Sequence, residues 1–502
     1  MFYRIRFILL IFLINYSLSF LTFCTDQSNS NGNGGADLPL FTDVLNEAGI
    51  KVTAVLGQTA AWGDFNNDGF LDLIVTNNDF RISGSRNVFL YENRGDGSFS
   101  DVTDVSGIVD QSLRSVAWGD FNNDNLLDLV VGTSMGNAPP ILYKNMDGNA
   151  FFDITSQAGV TKEGGVSHAI WVDYDIDGLI DIFQVKPKLP FLYHNEGDET
   201  FKEVSGESGI GNSFFTNSAI WFDINNDGYP DLFLANDGLN TLYKNNKDGT
   251  FIDITDSAGL GGDPGWDSIA ACIGDYNGDG FFDLYVGNIG SSRNALYKNN
   301  GDESFTDVTI DTGTEDIGDG RTCSWLDFDG DGRIDLFTTN HLNPTRLFRN
   351  LGDGKFVDVA TQVGIDSPID VFAATWGDYN NDGFMDAFLH GHLGTALMDN
   401  GGNNTNFIVI NLIGDGMFTN ISAIGTRVEV ITSSGIQIRE VSGGKGCCEN
   451  DMLPVHFGVG RDTEADIFVK WSGGGECFFQ DRDTDGGRLF TIVEEGCEII
   501  ER

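Results

Sequence analysis

The stretch WGDFNNDGFLDLIV, residues 62–75, decides the fold of this chain. Oxygen-bearing side chains recur in it at spacings of two, two and four residues: Asp64, Asn66, Asp68 and Asp72. Gly69 lies among them and can adopt the positive φ that a tight turn requires. Oxygen ligands that alternate along a short turn suit a hard cation such as Ca²⁺. The stretch therefore predicts a strand that is interrupted by a metal-binding turn.

This turn pattern recurs at a regular interval along the chain. The seven copies begin at Asp64, Asp120, Asp173, Asp223, Asp275, Asp327 and Asp378. The steps between them are 56, 53, 50, 52, 52 and 51 residues. A period this regular indicates one supersecondary unit that is copied around an axis or along a stack. We call these segments the first to seventh acidic turns and count their positions from the opening aspartate.

Each copy is typical of a group of short β-strands. Ile273 stands two residues before the fifth turn, and the other six turns have a tryptophan there: Trp62, Trp118, Trp171, Trp221, Trp325 and Trp376. After the turn come apolar runs such as LDLIV, then segments such as FLYEN, and then a hairpin that leads into FSDVT. Four short strands per copy fit a propeller blade. The predicted fold class is all-β, with a seven-bladed β-propeller followed by a small β-rich domain.

The two ends of the array predict how it closes. Residues 41–44, FTDV, look like the last strand of a copy but precede the first turn. The seventh copy stops after TALMDN without such a strand. We therefore expect residues 41–44 to complete the seventh blade and close a ring, with a linear solenoid as the alternative.

The oxygens at positions one, three, five and nine of each turn are the candidate metal ligands, with a backbone carbonyl at position seven. They are Asp64, Asn66, Asp68, Asp72, Asp120, Asn122, Asp124, Asp128, Asp173, Asp175, Asp177, Asp181, Asp223, Asn225, Asp227, Asp231, Asp275, Asn277, Asp279, Asp283, Asp327, Asp329, Asp331, Asp335, Asp378, Asn380, Asp382 and Asp386. An EF-hand is excluded, because position twelve is never Glu and strands flank the turn. All-oxygen ligands favour Ca²⁺, up to seven ions, over Zn²⁺, copper or Mg²⁺.

A single such turn could be an ordinary turn between strands, but turn chemistry alone would not need an aspartate at position nine. The turns that begin at Asp173 and Asp327 carry four aspartates each, which predicts tighter binding there. The second turn has Asn125 where the others have glycine, and we expect it to bind most weakly. Because like charges crowd each turn, Ca²⁺ should also stabilise the fold.

These motifs resemble the FG-GAP/VCBS repeat family, whose copies form β-propellers like the head of integrin α-chains with Ca²⁺ in their hairpins. The resemblance covers residues 39–401 and implies that positions one, three, five and nine are ligands. Residues 402–502, with AIGTRVEV, REVSGGKG, HFGVG and VKW, resemble the ASPIC/UnbV domain. Propeller and domain together are similar to the cartilage acidic protein family of secreted proteins.

The amino terminus predicts secretion. Arg4 and Arg6 precede a short apolar run, which is typical of a signal peptide over residues 1–23. A polar linker follows over residues 24–38, and a lipid anchor at Cys24 is the minor alternative. No later segment is apolar enough to span a membrane. The 75 acidic against 29 basic residues, a net charge of -46, argue against binding nucleic acid or anionic membranes.

Seven cysteines in a chain with a signal peptide indicate disulfides. Cys272 and Cys323 fall in adjacent copies. The last domain holds four more: Cys447, Cys448, Cys477 and Cys497. Our hypothesis is that the vicinal pair reaches the other two cysteines.

The sequence favours a binding protein over an enzyme. Its six histidines lie outside known catalytic motifs, and His390 and His392 could form a metal pair or be structural. His456, in HFGVG, is expected to pack or hydrogen-bond. The preferred function is a secreted Ca²⁺-dependent binding or adhesion protein, with a propeller face or channel for an extracellular protein or glycan. The alternatives are a Ca²⁺-dependent polysaccharide lyase and a purely structural matrix protein.

Overall fold

Seven β-sheets follow one another in this computed structural model, one for each acidic turn. The structure describes residues 38–501 except 53–56, 78–85, 112, 134–138, 162–167, 187–188, 212–213, 291, 367–369 and 446–448. The predicted signal peptide, and the linker up to residue 37, lie outside the described residues. The repeated antiparallel sheets confirm the predicted all-β propeller class.

Each sheet is one blade, and its strands run in sequence order from the centre outwards. The strand before the first turn is β1 (Phe41–Asp43). The first three blades are β2 (Gly57–Gly63), β3 (Asp72–Asn77), β4 (Val88–Asn93) and β5 (Phe99–Asp101); β6 (Leu113–Gly119), β7 (Asp128–Thr133), β8 (Ile141–Asn145) and β9 (Phe151–Asp153); and β10 (His168–Val172), β11 (Asp181–Val185), β12 (Phe191–Asn195) and β13 (Phe201–Glu203). The next two are β14 (Phe215–Phe222), β15 (Asp231–Asp237), β16 (Thr241–Asn245) and β17 (Phe251–Asp253); and β18 (Ser268–Gly274), β19 (Asp283–Asn288), β20 (Ala295–Asn299) and β21 (Phe305–Asp307). The last two are β22 (Asp319–Leu326), β23 (Asp335–His341), β24 (Arg346–Asn350) and β25 (Phe356–Asp358); and β26 (Val371–Gly377), β27 (Asp386–Gly391) and β28 (Gly394–Asn400). One-turn helices follow several outer strands: α1 (Thr103–Ser106), α2 (Ser205–Ser208), α3 (Thr255–Ala258), α4 (Thr309–Thr312) and α5 (Ala360–Val363).

The seventh blade takes its outer strand from the start of the chain. β1 pairs antiparallel with β28, with Phe41 opposite Asn400, as predicted for residues 41–44. The inner strand β2 of the first blade contacts β26 of the seventh. The first and last blades are therefore neighbours.

The tryptophan before each turn packs between blades. Trp62 stacks on Tyr379 of the seventh blade at a centroid distance of 6.3 Å, and Trp118 stacks on Phe65 of the first blade at 6.2 Å. The indole Nε1 of Trp118 also donates to the Ala61 carbonyl oxygen at 3.4 Å. Trp171 and Trp325 likewise stack on the position-two residues Phe121 and Tyr276, so in four blades the tryptophan stacks on the aromatic residue at position two of the preceding blade's turn.

An asparagine at the end of the third strand of each blade joins that blade to the preceding one. Its Nδ2 donates to the backbone carbonyl of position two in the preceding acidic turn, at 2.8–2.9 Å. We call these residues the clasp asparagines: Asn93, Asn145, Asn195, Asn245, Asn299, Asn350 and Asn400. In the first blade the acceptor belongs to Tyr379 of the seventh blade, so this contact also links the two ends of the array.

Residues after 401 form two further sheets. The strands of this region are β29 (Asn406–Ile413), β30 (Arg427–Thr432), β31 (Gly435–Glu440), β32 (Glu449–Asn450), β33 (Val455–Gly460), β34 (Glu464–Lys470), β35 (Glu476–Asp483), β36 (Arg488–Val493) and β37 (Glu498–Glu501), of which β32 joins the sheet of the first blade. One sheet has the order β33-β29-β36-β37 and the other β31-β30-β34-β35. Alternate residues such as Val428, Val430, Ile467 and Val469 are buried in a core shared with blades two and three.

Two stretches of this C-terminal region, residues 443–445 and 449–452, lie in the centre of the propeller, and together we call them the segment. β32 pairs in parallel with β2, so that Asn450 is opposite Ala61. The Trp171 amide donates to the Gly443 carbonyl oxygen at 3.0 Å, and the Met452 amide donates to the Trp376 carbonyl oxygen at 3.1 Å. The segment thus contacts the inner strands of the first, third and seventh blades. The protein's own chain therefore occupies part of the channel that was proposed as a ligand site, and a cavity of about 130 Å³ remains beside it.

Two disulfides are formed among the described residues. Cys272 in β18 bonds to Cys323 in β22 and joins the inner strands of the fifth and sixth blades. Cys477 bonds to Cys497, so the predicted pairing of both with Cys447 and Cys448 is wrong. The vicinal cysteines lie outside the described residues. Within the described part of the chain, no helix is long and apolar enough to cross a membrane.

Candidate metal centres

The aspartate at position one organises the backbone of every acidic turn. In the first turn Asp64 Oδ1 accepts the Asp68 amide at 3.0 Å, and Oδ2 accepts the Gly69 amide at 2.8 Å. The other six turns repeat both bonds. Position six is left-handed, with φ of 89° at Gly69 and 68° at Asn125, which explains the preference for glycine.

The aspartate at position nine has a structural role in every copy. Asp72 Oδ1 accepts the Asn93 amide at 2.8 Å, and Oδ2 accepts the Phe65 amide at 3.1 Å. The same two bonds recur in the other blades. The argument that only a metal ligand requires this residue is therefore wrong. Each carboxylate oxygen still has a second lone pair for a cation.

The side-chain oxygen at position three gives independent support for a bound cation. Three of these atoms are buried without a hydrogen-bond partner: Asn122 Oδ1, Asp175 Oδ1 and Asp329 Oδ1. A buried polar oxygen without a partner is unfavourable unless something satisfies it. The three atoms occupy the same position in the second, third and sixth turns. We therefore expect the same kind of partner, a bound cation, to satisfy all three.

Carboxylate oxygens converge in the two turns with four aspartates. Ligand atoms lie within 4.8 Å of one another in the groups Asp173, Asp175 and Asp177, and Asp327, Asp329 and Asp335. A third group joins Asp175 and Asp181 to His194. All 28 predicted ligands lie in the seven turns, and the donor set of oxygens fits Ca²⁺.

Burial makes these carboxylates costly to ionise without a counter-charge. It raises the pKa of Asp72 and Asp231 at position nine to about 8. At position one it raises the pKa of Asp378 to about 7 and that of Asp120 to about 6. A divalent cation would supply the missing positive charge.

The residue before each clasp asparagine determines the charge beside the acidic turn of its own blade. The sequence analysis did not identify these residues. Lysine, histidine or arginine occupies this position in blades two to six: Lys144, His194, Lys244, Lys298 and Arg349. Arg349 contacts Asp329 at 2.5 Å and Asp331 at 2.9 Å, so a guanidinium already neutralises part of the sixth turn. Acidic residues, Glu92 and Asp399, stand there in blades one and seven. The repeated segments FLYEN, ILYKN and TALMDN carried this signal.

In the third turn His194 is the neighbouring base. Its Nδ1 lies 3.4 Å from Asp175 Oδ2 and 3.4 Å from Asp181 Oδ1. The Asp181 carboxylate raises the pKa of His194 to about 9. This turn therefore combines four aspartates with a protonatable imidazole.

The C-terminal region covers the end of the propeller where the acidic turns lie, which we call the turn face. His456 Nε2 donates to the Gly383 carbonyl oxygen at 2.8 Å in the seventh turn, as predicted for a hydrogen-bonded histidine. Asn123 Oδ1 accepts the Ile421 amide at 2.9 Å, and Arg427 Nη2 donates to the Gly280 carbonyl oxygen at 3.1 Å. The turns thus lie at the interface between the two parts of the chain.

Comparison with protein families agrees with this architecture. The FG-GAP-like repeat matches residues 64–131, 173–234, 223–286, 275–338 and 327–389, and a related FG-GAP repeat matches 112–151. The family described as ASPIC and UnbV matches residues 416–498.

Two named relatives cover part of the chain. Cartilage acidic protein 1 of Xenopus tropicalis is 32% identical over 250 residues, which are 36% of this chain and 38% of that protein. Cartilage acidic protein 1 of Homo sapiens is 34% identical over 147 residues, or 28% of this chain and 21% of that protein. The matched parts thus span well under half of either relative.

Among solved structures, an Agrocybe aegerita lectin that recognises non-reducing terminal N-acetylglucosamine is similar, with a TM-score of 0.43 and 18% identity. That match covers 69% of this chain and 94% of the lectin.

Proposed function

We propose that this chain, which belongs to the FG-GAP-like repeat family and carries an ASPIC and UnbV domain, is a secreted calcium-binding protein of the extracellular matrix. Ca²⁺ in the acidic turns stabilises the blades and the covering C-terminal region. A surface of the propeller binds an extracellular protein or glycan without catalysis. The relatives' name, cartilage acidic protein, and the strongly acidic composition of this chain support the proposal.

The buried, unpartnered oxygens at position three carry the calcium half of this proposal. The oxygens at positions one and nine already accept backbone amides, so hydrogen bonding alone explains their presence. Position three has no such explanation in the second, third and sixth turns. Its side chains instead point to a cation that the neighbouring carboxylates would share.

Thermal unfolding and native mass spectrometry of the secreted chain test the calcium proposal. We expect a Ca²⁺-specific rise in melting temperature after EDTA treatment, with close to seven bound ions. Asp175→Ala should lower the ion count by one, because it removes the position-three oxygen, and Asp175 Oδ1 makes no hydrogen bond that the change could break. The control is Asp198→Ala, which changes an exposed aspartate in the following hairpin. Absence of bound ions and of any shift would refute the proposal.

The end of the propeller opposite the acidic turns, which we call the far face, is the proposed ligand surface. The C-terminal region lies against the turn face and occupies part of the channel, whereas the far face carries exposed apolar side chains on its loops. They include Val109, Leu189, Phe215, Ile317, Leu342 and Leu393. We propose that the exposed apolar side chains on these loops contact the partner.

A binding screen against matrix proteins and glycans, with and without Ca²⁺, tests the proposal that the far face binds a ligand. The adhesion proposal predicts a selective, Ca²⁺-dependent partner whose binding weakens when Leu342 and Leu393 are changed to serine. Val105→Ser is the control, since Val105 is equally exposed but lies in α1 on an outer edge. No selective partner would favour a purely structural matrix role.

A further inference from the structure

Two histidines and an aspartate from three separate segments meet on the far face. His341 ends β23, His392 directly follows β27, and Asp370 directly precedes β26. Since each acidic turn precedes the second strand of its blade, the ends of β23 and β27 lie at the opposite end of the propeller. This cluster is therefore separate from the acidic turns.

The three side chains present their ligand atoms to one another. His341 Nδ1 lies 3.1 Å from Asp370 Oδ1, and His392 Nδ1 lies 3.0 Å from Asp370 Oδ2. All three ligand atoms fall within 4.8 Å of one another. In a tetrahedral zinc site with bonds of about 2.0–2.1 Å, neighbouring ligand atoms are about 3.3 Å apart. Each imidazole nitrogen therefore lies at close to this distance from one oxygen of the Asp370 carboxylate.

The backbone is arranged to hold the carboxylate in this place. The Leu342 amide donates to Asp370 Oδ1 at 2.6 Å, and the His392 amide donates to the Asp370 carbonyl oxygen at 3.1 Å. Leu342 and Asp370 both adopt left-handed conformations, with φ of 56° and 53°. Such conformations are unfavourable for residues other than glycine and concentrate at functional sites. Asp370 is only 6% exposed, whereas each imidazole is 26% exposed.

The donor set of this cluster differs from that of the acidic turns. Two imidazole nitrogens and one carboxylate oxygen select Zn²⁺ or a similar transition ion, whereas Ca²⁺ prefers oxygen alone. We propose that His341, Asp370 and His392 form a Zn²⁺-type binding site on the far face, with its fourth position open to solvent. This site is independent of the proposed calcium function.

His390 does not belong to this site, so the pair His390 and His392 is wrong as a metal centre. His390 Nδ1 lies 2.9 Å from Thr395 Oγ1, and its Nε2 lies 2.8 Å from Asn77 Oδ1. Both ring nitrogens are thus already engaged in a buried contact between the seventh and first blades. His341, some 50 residues upstream, supplies the second imidazole instead.

Cobalt spectroscopy on the full secreted chain tests the proposal. Saturating Ca²⁺ occupies the acidic turns, and a Cys447→Ser, Cys448→Ser background removes thiols that could bind Co²⁺. We expect one Co²⁺ per chain, with visible absorption bands of a tetrahedral nitrogen and oxygen site that Zn²⁺ abolishes. His341→Gln and His392→Gln should each weaken binding by more than about tenfold.

The control variant is Leu393→Ala, which changes an exposed neighbour of His392 and should leave the cobalt spectrum unchanged. Melting temperatures in Ca²⁺ verify that each variant folds. If the chain that retains both histidines and carries only the two cysteine substitutions shows no tetrahedral bands, that result overturns the proposal. Bands that persist in both histidine variants would do the same.

Discussion

At the scale of single residues, the buried aspartate at position nine and the clasp asparagine work together. The carboxylate of Asp283 accepts the Asn299 amide at 2.8 Å and the Tyr276 amide at 3.3 Å. The side chain of Asn299 then reaches the Ile224 carbonyl oxygen of the preceding blade at 2.8 Å. One pair of residues therefore fixes its own turn and the adjacent blade, which explains why both recur in all seven copies.

Replacing a clasp asparagine should destabilise the propeller even when Ca²⁺ is bound. Asn299→Ala leaves the buried carbonyls of Ile224 and Phe282 without their donor, at about 1–3 kcal/mol for each unsatisfied group. We expect the melting temperature in saturating Ca²⁺ to fall by several degrees. Asn300→Ala is the matched control, because Asn300 is the next residue and its contacts are exposed. Equal effects of the two variants would contradict this role.

At the scale of elements, the seven turns share one backbone but differ in electrostatic surroundings. The number of aspartate ligands alone predicts that the third and sixth turns, with four each, bind Ca²⁺ most tightly. The structure adds a cation beside each of them, His194 in the third and Arg349 in the sixth. Glu92 and Asp399 instead add a negative charge beside the first and seventh turns. We therefore expect the first and seventh turns to fill at lower Ca²⁺ concentrations than the sixth.

Removing the competing guanidinium should strengthen the sixth site. Arg349→Ala removes the cation that contacts both Asp329 and Asp331 and leaves Asp331 paired with Arg333, so Ca²⁺ affinity there should rise by about tenfold. Native mass spectrometry at limiting Ca²⁺ should then show a higher mean ion count. Arg346→Ala is the control, since Arg346 lies on the same strand but pairs with Asp358, outside the turn. An unchanged filling curve for Arg349→Ala would count against this electrostatic account.

The sequence allowed the blades and the candidate ligands to be predicted because each blade is built from consecutive hairpins. The regular interval between the turns and the tryptophan in the first strand of most blades can be read from the sequence alone. β1 could be predicted because it resembles the last strand of a copy, and the seventh copy has no such strand of its own. The inter-blade partners could not be found in this way. The cluster of His341, Asp370 and His392 combines residues from two blades. The pairing of Cys477 with Cys497 depends on how β35 lies against the loop before β37.

At the scale of the whole molecule, the acidic turns border the interface between propeller and C-terminal region, which contacts several of them. The C-terminal region reaches the turn face through His456 and Arg427 and enters the channel through residues 443–445 and 449–452. A cation bound in the turns would therefore stabilise both parts at once. Its removal should leave many like charges at the same buried interface.

This arrangement predicts that the stability gained from Ca²⁺ increases with pH. Burial raises the pKa of Asp120 to about 6, that of Asp378 to about 7 and those of Asp72 and Asp231 to about 8, above the ordinary value of 3.8. The folded state therefore holds protons that the unfolded chain has already released. Without metal, stability is greatest below about pH 4 with respect to these groups and falls as pH rises to about 8. Ca²⁺ competes with the protons and should restore stability as they leave.

The measurement is the melting temperature in EDTA and in Ca²⁺ across about pH 5 to 8.5. The difference between the two curves should be small at the acidic end and grow to several degrees near pH 8. Mg²⁺ at the same concentration is the control, because it accommodates these flexible oxygen sites poorly and should give a smaller difference. A difference that stays constant with pH would mean that the buried carboxylates are not where Ca²⁺ acts, since no proton would then be exchanged for the ion.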